Sequence, residues 1–451
     1  MALMAPTDAM FLLAETRDVP THVGGLQIYE SPEGVGRAHA HEVYEWLLSF
    51  DELRPMFRQR PRRSLTTLGQ WTWVDDDVDL EYHVRHSALP EPGRVRELLA
   101  LGSRLHSSLL DRHRPLWEFH LIEGLEGNRF AAYTKIHHAL VDGISALRLL
   151  QQSMSEEPDG EARPPWAARP RSGDGGGGIP DPRDVVSGAA SALRELAGVG
   201  PSLVRTAQRS VQDQLAAYPF QAPPSMLNVG ITGSRRFAAD GWSLERVRQV
   251  GRAAGATVND VILAMCGGAL RRYLLDEGEL PDAPLIAMVP VSLRGDDDVG
   301  GNAVGAVLCN LGTDLEDEEA RLDRVHSSME HAKRNLGGLS QLQATLLSAG
   351  VMAPMALLSM LGGGRGLRPA FNVIISNVPG PRAPLWFNGA RLQGIYPMSV
   401  PTHGQALNIT ITSYVDDLQF GLTGCRRSVP HLQRLLAHLD SSLEDLEKAV
   451  A

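Results

Sequence analysis

Two adjacent histidines followed by an aspartate, in the run His137-His138-Ala139-Leu140-Val141-Asp142-Gly143, are the residues whose types and spacing name a chemistry. An unperturbed imidazole titrates near pH ~6.5, so around neutrality it is largely free to take a proton from a hydroxyl. That is what an acyl-transfer centre requires. Asp142, four residues beyond His138, can anchor the turn that presents the imidazole. Gly143 is expected to remove a side chain where the backbone must bend or lie close to a substrate. The pair is a poor metal site, because adjacent residues on a helix point about 100° apart. No metal is expected.

Elements that could hold these residues are legible on both sides. An apolar run over 130–136 predicts a strand ending at the pair. Residues 144–154 then carry apolar side chains at helical spacing, with Leu147, Leu150 and Met154 on one side. His138 and Asp142 therefore stand where a strand passes into a helix, a connection that often carries catalytic groups. Upstream, short strands and helices are expected over 21–127, among them a helix over 95–110 and a strand over 117–122. Downstream, a helix over 257–275 opens on a capping threonine or asparagine, followed by a strand over 285–291 and a turn at Ser292-Leu293-Arg294-Gly295. Further strands are predicted at 303–310, 371–376, 407–415 and 418–422, the last two as a hairpin through Asp416-Asp417.

At 451 residues the chain exceeds one ordinary core, which points to two domains. The boundaries read as 1–155 for the part carrying the histidines, 156–222 for a flexible linker and crossover helix, and 223–451 for the second part. The linker reading rests on proline, glycine and charge over 156–183, including Gly175-Gly176-Gly177-Gly178, which cannot bury enough apolar area to fold. The glycine run lacks a following lysine and a preceding strand, so it is no phosphate loop. Net charge of -10 with both signs interspersed argues against nucleic acid and against simple electrostatic attachment to anionic lipid. Cys266, Cys309 and Cys425 form no CxxC pair and read as buried free thiols. Asp8, Glu15, Arg17 and Asp18 break up the N-terminus, which lacks the pattern of a secretion signal and suggests a cytoplasmic protein. Residues 344–361 are nearly all apolar but interrupted by Gly350 and Pro354. A packed helix pair or tunnel wall is the favoured reading there, ahead of a surface helix dipping into lipid and of a true span.

Five further segments carry a family resemblance: Pro115-Leu116-Trp117-Glu118, Val258-Asn259-Asp260-Val261, Pro290-Val291-Ser292-Leu293-Arg294, Ser376-Asn377-Val378-Pro379-Gly380-Pro381 and Leu407-Asn408-Ile409-Thr410. With the HHxxxDG run they make the chain resemble bacterial wax ester synthase/diacylglycerol acyltransferases over nearly its whole length. The resemblance implies an α/β fold: two chloramphenicol-acetyltransferase-like domains with mixed sheets, joined by a crossover and meeting at a channel. It implies an acyl-CoA-dependent transfer of a long-chain acyl group to diacylglycerol or a long-chain alcohol, with acyl-CoA as co-substrate and no cofactor. Peripheral contact with a membrane or lipid droplet stays open.

Carried over by residue, the resemblance makes His138 the general base that takes the acceptor proton and returns it to the CoA thiolate. His137 then shapes the site. Asp142 would hold an arginine, with Arg294 as candidate partner, or Arg294 is an ordinary surface charge. Asn259 is either a helix cap or a substrate or oxyanion contact. Ser376 and Asn377 are either site contacts or turn residues, whereas Leu116 and Trp117 read as core. Two other readings remain: an acyltransferase or condensation domain fed by a carrier protein, and a non-catalytic lipid-droplet-binding protein.

Overall fold

The computed structural model describes residues 2–35, 38–63, 67, 69–168, 221–292, 304–337 and 368–451. Arg294, the apolar stretch 344–361, the glycine run and the crossover helix expected within 156–222, whose sequence runs over 185–217, lie outside them.

The chain forms two compact units, one comprising Met1–Arg169, Val229–Arg248 and Ser376–Ala437, the other Pro170–Asn228, Gln249–Ile375 and His438–Ala451. This corrects the expectation of consecutive domains divided near 156–222. The reason is pairing between distant segments: the strand Ala390–Met398 lies antiparallel to His22–Glu30, with Met398 opposite Gly24. The chain must return to the first unit to complete its sheet. Nor does packing stop at 155. Ser155 bridges to Trp386, Ala167 bridges to Leu53, and Trp166 is buried against Trp117, so one aromatic ring anchors a stretch whose composition reads as linker.

In the first unit a six-stranded mixed sheet runs in the order Trp386–Phe387, Ala390–Met398, His22–Glu30, Arg129–His137, Trp117–Leu125, Val84–Ala88. Only the last pair is parallel. Arg129–His137 sits in the middle of the sheet and is buried along nearly its whole length. It therefore lacks the alternation of a half-exposed strand. On one face Val43 and Leu47 of the helix Ala38–Leu48 and Leu147 of the helix Gly143–Gln151 join Trp117, Phe119 and Ile136 in one core cluster. On the other face Leu98 of Val95–Ser107 meets Ile122, Ala131 and Tyr133. Leu116 and Trp117 are core residues, fully enclosed, with the indole N–H donated to the Phe57 carbonyl at 2.8 Å.

The same unit holds the hairpin of Leu407–Tyr414 and Asp417–Cys425. Tyr414 pairs with Asp417, so the turn is Val415-Asp416, one residue earlier than expected. Val415 has φ 53°, a costly conformation for a β-branched residue. Its amide donates to the Pro381 carbonyl at 2.9 Å and its side chain packs on the core, and those contacts hold it there.

In the second unit Val304–Asn310 pairs antiparallel with Ile286–Ser292, and Val373 and Ile374 pair parallel to it. The helix Val258–Asp276 is buried on most of its surface. All three cysteines are buried and free. Among the described residues no single helix is long and apolar enough to cross a membrane.

Candidate active site

The histidine pair is placed by hydrogen bonds at the end of the central strand. Trp117 stands opposite Ile136, and the Leu116 carbonyl accepts the His137 amide at 3.0 Å. On the other side His22 stands opposite His137. One residue beyond that register, the Thr21 carbonyl accepts the His138 amide at 2.9 Å. The backbone of both histidines is thus gripped by the two neighbouring strands before the chain turns into the helix Gly143–Gln151.

The two imidazoles have different surroundings. His137 is wholly enclosed. Its Nδ1 accepts the Ala139 amide at 3.0 Å, which leaves the proton on Nε2. Nε2 faces Thr21 Oγ1 at 3.1 Å and Glu15 Oε1 at 3.4 Å. Thr21 Oγ1 donates its own proton to the Phe11 carbonyl, so it is free to accept from His137. His138 is partly exposed and stacks on Phe11, with ring centroids 4.1 Å apart and planes 14° apart. Its Nδ1 is buried without a partner of ordinary hydrogen-bond geometry among the described residues. Burial pushes the His138 pKa below its usual value. Its own backbone carbonyl and the Asp142 charge oppose that shift, and His137 adds to it. The net direction keeps the ring neutral at pH 7, the form in which it can accept a proton.

Behind the pair lies a group that the motif does not announce. The Glu15 carboxylate accepts from Arg112 Nε at 2.9 Å through one oxygen and from the Thr21 amide at 3.2 Å through the other. Arg112 also donates to the Leu12 carbonyl at 2.7 Å. Burial raises the Glu15 pKa, but the hydrogen bonds from His137, Arg112 and Thr21 outweigh it and hold the carboxyl below its ordinary value. No sequence motif marks Glu15, Thr21, Arg112 or Phe11 as site residues. Glu15 counted only as a charge interrupting the N-terminus, and no local spacing connects it to a histidine 122 positions on.

Asp142 caps the helix that follows, with Oδ1 accepting the Ser145 amide at 2.7 Å. Oδ2 is buried with no partner among the described residues, and the proposed partner Arg294 is outside them. Gly143 opens the helix with φ outside the left-handed region, so the expectation that it serves a backbone bend is corrected. A side chain added there would meet nothing within 4 Å, which leaves open space beside the motif.

The remaining candidates fall as follows. The cap of Val258–Asp276 is Thr257, paired reciprocally with Asp260. Asn259 therefore stands inside the first turn and is not the cap. Asp260 also holds His326 Nδ1 at 2.8 Å, in the second unit. Ser376 and Asn377 lie in the strand Val373–Val378 and are not turn residues. Beyond the strand comes Gly380, where a β-carbon would fall 1.8 Å from the Ser413 carbonyl oxygen.

Comparison with known proteins bears on both halves of the chain. Residues 4–262 match the model of the wax ester synthase/diacylglycerol acyltransferase catalytic domain, and residues 300–447 match that of the WS/DGAT C-terminal domain. A probable diacylglycerol O-acyltransferase of Mycobacterium tuberculosis strain H37Rv is 52% identical over 460 residues, covering 100% of both chains. A second, putative one from that strain is 53% identical over 452 residues, covering 99% of this chain and 100% of its own. Among solved structures, the wax ester synthase/diacylglycerol acyltransferase of Marinobacter aquaeolei VT8 superposes with a TM-score of 0.81 at 42% identity over 100% of both chains. The first condensation domain of the calcium-dependent antibiotic synthetase, at 16% identity and a TM-score of 0.62 over 100% of this chain and 96% of its own, shares the fold.

Proposed function

The chain belongs to the wax ester synthase/diacylglycerol acyltransferase family, and from that premise we propose that it moves a long-chain acyl group from acyl-CoA to the hydroxyl of diacylglycerol, and of a long-chain alcohol where one is supplied, with His138 as general base. The observation that carries this reading is the His138 imidazole: partly exposed, stacked on Phe11 and biased toward its neutral form by burial. With the imidazole proton on Nδ1, Nε2 takes the acceptor proton as the oxygen attacks the thioester carbon. The tetrahedral intermediate expels the thiolate, the C–S bond breaks, and the imidazolium returns its proton to sulfur. One ester and one CoA thiol result. The cycle balances on a single imidazole and calls for no cofactor.

Ser376 or Asn377 is the candidate donor to the oxyanion, a contribution that in comparable sites is worth ~10²- to 10³-fold in kcat. The site works on the cytoplasmic side, at the periphery of a membrane or droplet that supplies the acceptor. The test is incubation of purified protein with labelled palmitoyl-CoA and either diolein or hexadecanol, comparing wild type with His138→Ala by product chromatography and thiol release. Ester formed by wild type and lost in the variant supports the reading and identifies the acceptor. Thiol and ester from neither acceptor would redirect the search to a carrier-protein donor.

A further inference from the structure

Glu15 takes no part in the proton cycle, yet its side chain is only 2% exposed and both its oxygens are occupied. We propose that Glu15 is a positioning residue for the acyl transfer, acting through Thr21 and His137 on the orientation of His138. The proposal rests on His138 being the base.

Two routes lead from Glu15 to the reacting ring. Along the first, Oε1 accepts the Thr21 amide and faces His137 Nε2, and the Thr21 carbonyl accepts the His138 amide. His137 closes this route, since its Nδ1 holds the Ala139 amide on the far side of His138. Along the second, Arg112 joins Glu15 Oε2 to the Leu12 carbonyl, while Thr21 Oγ1 holds the Phe11 carbonyl. Phe11 is the ring stacked on His138. One carboxylate therefore fixes both the backbone that carries the imidazole and the aromatic face it lies against.

A buried ion pair by itself is weak support for a fold, because desolvation offsets much of its attraction. What distinguishes this one is where its hydrogen bonds end. A general base must meet its proton at hydrogen-bond distance, and misplacement by about 1 Å can cost on the order of 100-fold in rate.

The test compares Glu15→Gln with Glu15→Gln/Arg112→Gln in the palmitoyl-CoA and diolein assay, reading kcat, KM for palmitoyl-CoA and the thermal midpoint. The single variant should lose roughly 10- to 100-fold in kcat with KM little changed, and should melt lower because Arg112 is left without its carboxylate. The double variant should regain most of the midpoint and none of the kcat. Recovery of kcat together with the midpoint would make the pair merely structural and overturn the proposal, as would wild-type kcat in the single variant. If Glu15→Gln does not fold, Thr21→Val removes the hydroxyl that accepts from His137 and donates to the Phe11 carbonyl, and wild-type kcat in that variant would overturn it. His138→Ala runs alongside. Activity surviving there sinks the general-base reading itself, whereas activity surviving only in the Glu15 and Thr21 variants sinks the positioning role alone.

Discussion

Replacing Glu118 by Gln should destabilise the first unit strongly, and the reason lies in the lysine beside it. Lys135 is fully enclosed in the central strand. Its Nζ donates to the Leu105 carbonyl at 3.2 Å and to Ser108 Oγ at 3.1 Å, with Glu118 Oε2 3.6 Å away. Glu118 also accepts from His120 at 3.2 Å and from Arg85 at 3.4 Å. Burial raises the Glu118 pKa, but the hydrogen bond to His120 and the charges of Lys135 and Arg85 outweigh it and hold the carboxyl at about 2. Burial conversely lowers the Lys135 pKa, opposed by Glu118. A carboxyl whose folded pKa falls from 4.5 to about 2 stabilises the fold above the unfolded value and loses that contribution as pH falls toward 2. At ~1.36 kcal/mol per pH unit this is roughly 3 kcal/mol, of which the desolvated lysine offsets part. Removing one partner leaves a buried charge uncompensated, which costs ~3–5 kcal/mol. For a unit of this size that is a drop of roughly 6–20 °C in the midpoint of its unfolding. Circular dichroism melts at pH 7 of wild type, Glu118→Gln and the apolar pair Glu118→Leu/Lys135→Met would measure it. The apolar pair should recover most of the loss. A drop under about 2 °C in the single variant, or a double variant as unstable as the single, would refute the reasoning.

The acid limb of the kcat/KM profile should lie below pH ~6.5, because burial lowers the His138 pKa; Asp142→Asn removes a charge that raises it and should move the limb further down, and an upward shift would contradict the assignment. Gly143→Ala should leave the thermal midpoint within about 2 °C, since a β-carbon there meets open space, so a loss of activity would report on substrate approach, and equal losses of stability and activity would show the space to be filled by protein. Gly380→Ala forces a β-carbon within 1.8 Å of the Ser413 carbonyl oxygen and should lower the midpoint by several degrees; an unchanged melt would mean that the two segments move apart freely.

The run of residues 137–143 was legible because its information is local. A strand ends on the first of two imidazoles, the second follows, and Asp142 caps the next helix, all within one short stretch governed by backbone geometry and capping chemistry. The buried helix and strands of the second unit announced themselves through apolar runs in the same way. The resemblance carried by the remaining motifs agreed with the family found by comparison.

Three features were decided only by folding. Each unit is assembled from separate stretches of chain, as where Ala390–Met398 pairs with His22–Glu30, and pairing partners so far apart leave no periodic trace in either segment. Trp166 packs on Trp117 from a stretch that composition assigns to a linker. Glu15 and Arg112, 97 positions apart, meet behind the histidines because the helix Pro6–Ala14 and the segment after Val95–Ser107 converge there. The sequence alone determined which groups can do the chemistry, since that depends on residue type and near neighbours. Tertiary structure decided what holds them in place, since hydrogen bonds and ring contacts depend on distances that close only when remote segments pack.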